Sequence, residues 1–252
     1  MQAEIDASCQ LEKERDNTLK IWTPQKSNIT VDWSDGQSEV FECKGEFETN
    51  GYRAKEKMGH TYNSDGEYQV TVLIDNSCPV SFGDNSEVVE LDISGAPDLV
   101  ELTCTSTRLK TLDVSNNIAL KYLDCFGCSL KELNLARNVE LETLNCHYCY
   151  LASLDVSKNV LLKRLNCYCN QLDELDVSKN MNLEELNCCD NQLTSLNLTN
   201  NFKLYDLTCS INQLKLDLRK NSRLIEIECN GKEYDFKSLS GLFNKMFNKA
   251  DL

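Results

Sequence analysis

The chain has 252 residues, 41% of them hydrophobic, enough apolar material for one large core or two ordinary ones. Its formal net charge of −14 argues against a nucleic-acid or anionic-membrane partner, because each needs a basic face. No run approaches the roughly 18 apolar residues of a membrane span, so no membrane insertion is expected. The polar N-terminus MQAEIDASCQLEKERDN has no hydrophobic signal core, and an exported protein is expected to have had its signal removed.

Residues 1–80 lack any long internal period. They hold alternating, strand-like runs at Thr18–Trp22, Ile29–Trp33 and Tyr68–Leu73, separated by polar turns, which predicts a small β-sandwich. Asp35-Gly36 and Asp65-Gly66 suit tight turns with φ > 0 at Gly, and Trp33, Tyr62 and Tyr68 would fill the space between sheets. The segments Val31-Asp-Trp-Ser-Asp-Gly36 and His60-Thr-Tyr-Asn-Ser-Asp-Gly-Glu-Tyr-Gln-Val-Thr-Val72 together resemble the pattern of PKD-like, immunoglobulin-type domains over about residues 15–75. His60 has no second His, Cys or nucleophile around it, so it reads as a strand-tying residue rather than a site. Residues 76–88 form the expected junction.

The remainder is periodic. Leu-Asp/Asn-aliphatic begins at Leu91, Leu112, Leu133, Leu154, Leu175 and Leu196, 21 residues apart each time, and again at Leu216, one residue early. Between these lie Leu102-Thr-Cys, Leu123-Asp-Cys, Leu144-Asn-Cys, Leu165-Asn-Cys, Leu186-Asn-Cys, Leu207-Thr-Cys and Ile227-Glu-Cys. Each unit thus has two halves, L-x-C and L-x-V, and the apolar alternation in both predicts short strands with one buried face. The Asn three positions further on marks a turn whose amide can bond a neighbouring coil. Stacked coils bury a column of Leu that no single coil could bury, which defines a solenoid. Leu183-x-x-Leu186-x-Cys188-x-x-Asn191-x-Leu193 resembles the core of leucine-rich repeat proteins, and the nested 21-residue unit resembles the short bacterial subclass found in surface proteins of gut anaerobes. The resemblance covers about residues 86–230.

The chain has fourteen cysteines, and their register decides their meaning. Cys125-Phe-Gly-Cys128, then 17 residues, then Cys146-His-Tyr-Cys149, matches a zinc-ribbon spacing. In repeat register, however, Cys104, Cys125, Cys146, Cys167, Cys188, Cys209 and Cys229 form one inward column. Cys128 and Cys149 fill the slot held by Asn170, Asn191 and Asn212 in later coils. Four thiolates converging on one point are therefore not expected, and the column reads as free thiols acting as small hydrophobes, without metal or cofactor.

Residues interleaved with Leu and Cys are expected to point outward. One column reads Thr105, Phe126, His147, Tyr168, Cys189, Ser210, Asn230, and another Glu101, Tyr122, Thr143, Arg164, Glu185, Asp206, Glu226. Tyr122, Phe126, His147, Tyr148, Arg164 and Tyr168, with Tyr150 nearby, make an exposed aromatic cluster suited to a protein or glycan ligand, or else a set of rung neighbours that simply pack together. The column Asp92, Asp113, Asn134, Asp155, Asp176, Asn197, Asp217 is expected to bond adjacent backbone or Ser/Thr rather than calcium. Leu239, Leu242, Phe243, Met246 and Phe247 lie on one face of a helix over 238–250, predicting a C-terminal cap.

These patterns predict an all-β-dominated chain. A PKD-like β-sandwich (1–80) precedes a leucine-rich-repeat solenoid (81–252) whose repeats span about 86–230 and whose cap spans 231–252. No catalytic constellation stands out. The expected function is non-enzymatic binding or adhesion by an extracellular or cell-surface monomer. A metal-binding or redox protein using the C-x-x-C cysteines and an intracellular interaction scaffold are the alternatives.

Overall fold

The computed structural model describes residues 2–11, 17–21, 27–33, 35–43, 56–60, 66–75, 80–82, 88–212, 214, 216–229 and 232–235. The predicted C-terminal helix over 238–250 lies outside them, as do Tyr62, the Asp65 half of the second turn and Asn230.

The N-terminal part contributes β1 (Gln2–Leu11), β2 (Asn17–Ile21), β3 (Ser27–Asp32), β4 (Ser38–Cys43), β5 (Glu56–His60) and β6 (Gly66–Asp75). Strands β2 and β5 pair antiparallel, with His60 opposite Asn17. The others form a five-stranded sheet in the order β4-β3-β6-β1-β8, where β8 is Val88–Gly95. Ile29, Val31, Val70 and Val72 alternate inward and are fully buried with Trp33, which is the predicted core position of that tryptophan. The Asp35-Gly36 turn forms as expected: Gly36 has φ 89°, the Gln37 amide donates to Asp35 Oδ1 at 3.1 Å, and the Trp33 amide donates to Gln37 O at 3.0 Å. Strand β1 is an addition to the sequence reading, which treated the N-terminus only as polar. It lies between β6 and β8, so the first Leu-Asp-Ile of the repeats, Leu91–Ile93, sits in the N-terminal sheet. Conversely β7 (Val80–Ser81) pairs in parallel with β9 (Glu101–Thr103) of the solenoid. The two parts therefore exchange strands across the junction.

From residue 88 the chain winds into a β-solenoid. Each L-x-C run supplies a three-residue strand: β9, β10 (Tyr122–Asp124), β11 (Thr143–Asn145), β12 (Arg164–Asn166), β13 (Glu185–Asn187) and β14 (Asp206–Thr208), followed by β15 (Glu226–Cys229) and the antiparallel β16 (Lys232–Asp235). The parallel register stacks Leu102, Leu123, Leu144, Leu165, Leu186, Leu207 and Ile227 directly on one another. One coil shows the core logic: Leu162, Leu165, Cys167, Leu172, Leu175 and Val177 are all buried. Burying each such Leu contributes about 1.5–3 kcal/mol, and truncating Leu165 to Ala would remove about 2–5 kcal/mol.

The L-x-V runs differ from expectation. They keep the buried–exposed–buried alternation, as at Leu154-Asp155-Val156, yet beyond β8 they form no hydrogen-bonded strands. Side chains take the backbone's partners there. The fully buried Asn159 donates from Nδ2 to Leu135 O at 3.1 Å and Asn138 O at 2.8 Å, and Asn117, Asn138, Asn180, Asn201 and Asn221 repeat this pairing coil after coil. The Asp/Asn of each run also turns inward on its own backbone: the Ser157 amide donates to Asp155 Oδ1 at 2.8 Å, with equivalents at 92, 113, 134, 176, 197 and 217. Amide ladder and Asx turns replace the β-ladder on this side.

Candidate functional site

The outward face of β10–β12 carries the aromatic residues, and the inter-coil ladder fixes them. The Cys125 amide donates to Asn145 O at 2.9 Å, Gly127 to His147 O at 3.0 Å and Tyr148 to Tyr168 O at 3.0 Å, so hydrogen bonding between coils continues beyond the strands into the aromatic segment. The next residue in each coil then turns left-handed. Ser106, Tyr148, Cys169, Asp190 and Ile211 have φ of 49–56°, and Gly127 has 71°. This conformation carries Tyr148 out of the strand direction.

Four rings meet as a result. Phe126 and His147 stack with centroids 4.2 Å apart and planes inclined by 10°. Tyr148 packs edge-on to Tyr168 at 5.0 Å and to Phe126 at 6.1 Å, and its hydroxyl lies 3.0 Å from that of Tyr168. His147 and Tyr168 are 6.4 Å apart. Phe126, His147 and Tyr168 are partly buried, while Tyr148 and Tyr150 are 48% and 55% exposed. Of the six residues singled out from sequence, the structure brings these four together and directs two elsewhere. Tyr122 donates from its hydroxyl to Asp124 Oδ2 at 3.3 Å within its own strand. Arg164 Nε donates to Glu185 Oε1 at 3.0 Å, and Tyr205 donates to the same oxygen, so the guanidinium is drawn to the next rung. The outward column also closes toward its C-terminal end: Cys189 and Ser210 are buried, because small side chains sink beneath the tips of their rung neighbours.

A third outward column, the middle residue of each L-x-C, escaped the sequence reading. Asp124 Oδ1 accepts the Phe126 amide at 3.1 Å, Asn166 Oδ1 accepts the Tyr168 amide at 3.2 Å, and His147 Nδ1 hydrogen-bonds Asn145 Oδ1. These short polar residues hold the aromatic backbone in place. A polar side chain at that slot in every coil is the signal that would have found them. Burial raises the Asp124 carboxyl above its ordinary value, opposed by hydrogen bonds from Phe126, Asn145 and Tyr122. Burial holds the His147 imidazole below its ordinary value, with Asp124 pulling the other way. The contact with Tyr148 pushes the Tyr168 phenol up to about 12, so that hydroxyl is neutral at physiological pH.

The cysteines occupy two structural slots. Cys104, Cys125, Cys146, Cys167, Cys188 and Cys209 are free and buried in the Leu column. Cys128 donates from its thiol to Cys104 O at 3.1 Å and Cys149 to Cys125 O at 3.3 Å, the same kind of carbonyl that Asn170 bonds from Nδ2 at Cys146 O, 2.9 Å. Burial raises the Cys146 thiol and pushes that of Cys167 up to about 12, whereas the contact with Cys104, with Thr107 adding to it, lowers that of Cys128. Among the described residues no group of three or more His, Cys, Asp or Glu is placed to hold a metal ion.

Parallel three-residue strands, a Leu core and Asn or Cys at the turn define a β-solenoid of the leucine-rich-repeat kind. The chain is similar to the functional domain of InlJ from Listeria monocytogenes, which includes a cysteine ladder, with TM-score 0.53 and 30% identity over 59% of this chain and 39% of that one. It is also similar to the internalin inlF of Listeria monocytogenes, with TM-score 0.49 and 19% identity over 55% and 51% of the two chains. A Leptospira interrogans leucine-rich-repeat protein matches with TM-score 0.46 and 22% identity over 54% and 44%. The chain therefore spans about half or less of the length of these neighbours. No protein-family model and no curated protein matches it.

Proposed function

We propose that this chain is a non-enzymatic binding protein of a bacterial cell surface, in which the strand face of the solenoid takes a protein or glycan through Phe126, His147, Tyr148 and Tyr168. In this reading it works as a monomer, residues 1–80 are a PKD-like spacer, and the repeats are of the short 21-residue class.

The observation that carries the reading is the cluster itself: four rings in one continuous set of contacts on three successive rungs, held by inter-coil bonds and still partly open to solvent. Rigid aromatic side chains with neutral hydroxyl and imidazole ends offer apolar area and hydrogen bonding together, at little cost in ordering. Arg164, tied to Glu185, and Tyr122, tied to Asp124, would frame the patch rather than anchor a ligand. The surface location rests on the resemblance of the repeats to bacterial surface proteins.

A protein and glycan array identifies the ligand class, and Phe126→Ala and Tyr168→Ala then test the site. Both variants should lose capture while melting within about 3 °C of wild type, a loss of under about 1 kcal/mol. A much larger loss of stability with capture retained would instead assign the rings to packing between rungs.

A further inference from the structure

The turn that follows each L-x-V run forms an edge of the solenoid with its own chemistry. The residue after each ladder Asn is Ile118, Val139, Val160, Met181 and Phe202 in five consecutive coils, and these are 51%, 45%, 47%, 59% and 50% exposed. The ladder fixes their alignment. Asn138, Asn159, Asn180 and Asn201 each donate from Nδ2 to the carbonyl of the ladder Asn one coil earlier, at 2.8–2.9 Å. The residues that follow are therefore held in one straight row at rung spacing, about 4.8 Å apart. Leu161 widens the row at its middle.

Cations flank this apolar ridge. The residue before the ladder Asn is Arg137, Lys158, Lys179 or Lys220 in four coils, all exposed. Further along the same turns come Lys121, Lys163, Lys203 and Arg223, interspersed with Glu140, Glu142 and Glu184, and Lys163 pairs with Glu142 at 2.5 Å. The six turn segments 116–121, 137–142, 158–163, 179–184, 200–205 and 220–225 thus hold eight Lys or Arg against three Glu, while the other 216 residues hold 18 against 37 Asp or Glu. A strongly acidic chain has concentrated positive charge beside a regular row of exposed hydrophobic side chains.

We propose that this edge docks peripherally on an anionic phospholipid surface, with Val160, Met181 and Phe202 entering the interfacial layer and Lys158 and Lys179 meeting the phosphates. A row that projects from a rigid coil fits a planar, yielding interface. Its basic flanks select a negatively charged one and oppose pairing with the same edge of a second copy, where cation would face cation. No helix among the described residues is long and apolar enough to cross a membrane.

The test is co-sedimentation of the whole chain with vesicles of phosphatidylcholine alone and vesicles enriched in phosphatidylglycerol. Binding should occur only to the second, weaken with added salt, and fall about tenfold or more in Lys158→Glu/Lys179→Glu and in Val160→Ser/Met181→Ser/Phe202→Ser. All five side chains are exposed, so both variants should keep the wild-type melting temperature, and Tyr168→Ala should leave vesicle binding unchanged. Equal binding to both vesicles, or retention unaffected by the serine variant, would overturn the proposal. Binding to soluble polyglutamate that survives the serine variant would assign the edge to an acidic protein and overturn it as well.

Discussion

The amide ladder can be tested at its centre. Asn180 is fully buried, and its Nδ2 donates to Val156 O at 3.0 Å and Asn159 O at 2.8 Å. Both carbonyls also accept a backbone amide, from Asn159 and Leu162 respectively, so Asn180→Ala removes a second bond from each without orphaning either. Two such bonds amount to about 2 kcal/mol net. The Asn180 Oδ1 is buried without a partner, and deleting it returns about 1 kcal/mol. The space left behind costs about 1 kcal/mol again. The expected loss is about 2 kcal/mol, seen as a melting-temperature drop of about 4–8 °C. Asn180→Asp should cost more and should depend on pH. The buried carboxyl would face two carbonyl oxygens, so its folded-state pKa would rise above the unfolded value of about 3.9. Ionisation in the unfolded chain alone then lowers stability as pH rises above about 4, and the variant should be least stable near neutrality. Thermal unfolding at several pH values measures both effects. A loss under about 0.5 kcal/mol in Asn180→Ala would show that the orphaned Oδ1 cancels the ladder bonds, refuting their role in fixing coil register.

Three further perturbations separate the structural slots. Cys149→Asn restores the amide found at Asn170 and should change stability by less than about 1 kcal/mol, whereas Cys125→Asn places an unsatisfied amide in the Leu column and should cost about 2–4 kcal/mol by urea denaturation. Ile211 is β-branched, 66% exposed and left-handed at φ 56°, so Ile211→Gly should stabilise the solenoid by about 1 kcal/mol, and a destabilised variant would show that its side chain is needed at that edge. His147 should titrate below about 6.5 by NMR, since burial disfavours its charged form. Its contribution to stability is present above the unfolded value and lost as pH falls through it toward the folded value, and a midpoint at or above 6.5 would contradict the stacked, half-buried geometry.

Much of this fold is legible because repetition averages away local ambiguity. Six Leu at 21-residue spacing, Leu102 to Leu207, specify a stacked column whatever each coil does alone, and the same register turns a zinc-like C-x-x-C pair into two rungs. Alternation does not reveal which group satisfies the backbone. Leu154-Asp155-Val156 alternates as well as Leu144-Asn145-Cys146, and Asn side chains reach the last carbonyl of both, yet only the second run has backbone bonds from coil to coil, as from the Cys146 amide to Asn166 O at 2.9 Å. Strand β1 does alternate, Ala3-x-Ile5-x-Ala7-x-Cys9, but its small apolar residues give a faint signal beside the surrounding Glu and Asp. In the candidate site, the adjacency of Phe126, His147 and Tyr168 follows from the period. The directions of Tyr122 and Arg164 do not, because each long polar side chain is drawn to one particular charge, Asp124 in the same strand and Glu185 on the next rung.

The same repetition explains why net charge misdescribes this surface. In a globular domain, scattered charges blur into one average potential, but in a solenoid each sequence slot becomes a face. The slot after Leu in L-x-V gives Asp92, Asp113, Asp155, Asp176 and Asp217, each held below the usual carboxylate range chiefly by hydrogen bonds from the residue two positions on. That face stays anionic well into acid. Only a few residues further along each coil, the slot before the ladder Asn gives the basic residues Arg137, Lys158, Lys179 and Lys220. Two opposite potentials therefore run side by side along the repeats. Salt should weaken any contact made by either stripe, while contacts of the aromatic face, which rest on burial of rings rather than on charge, should be nearly indifferent to it.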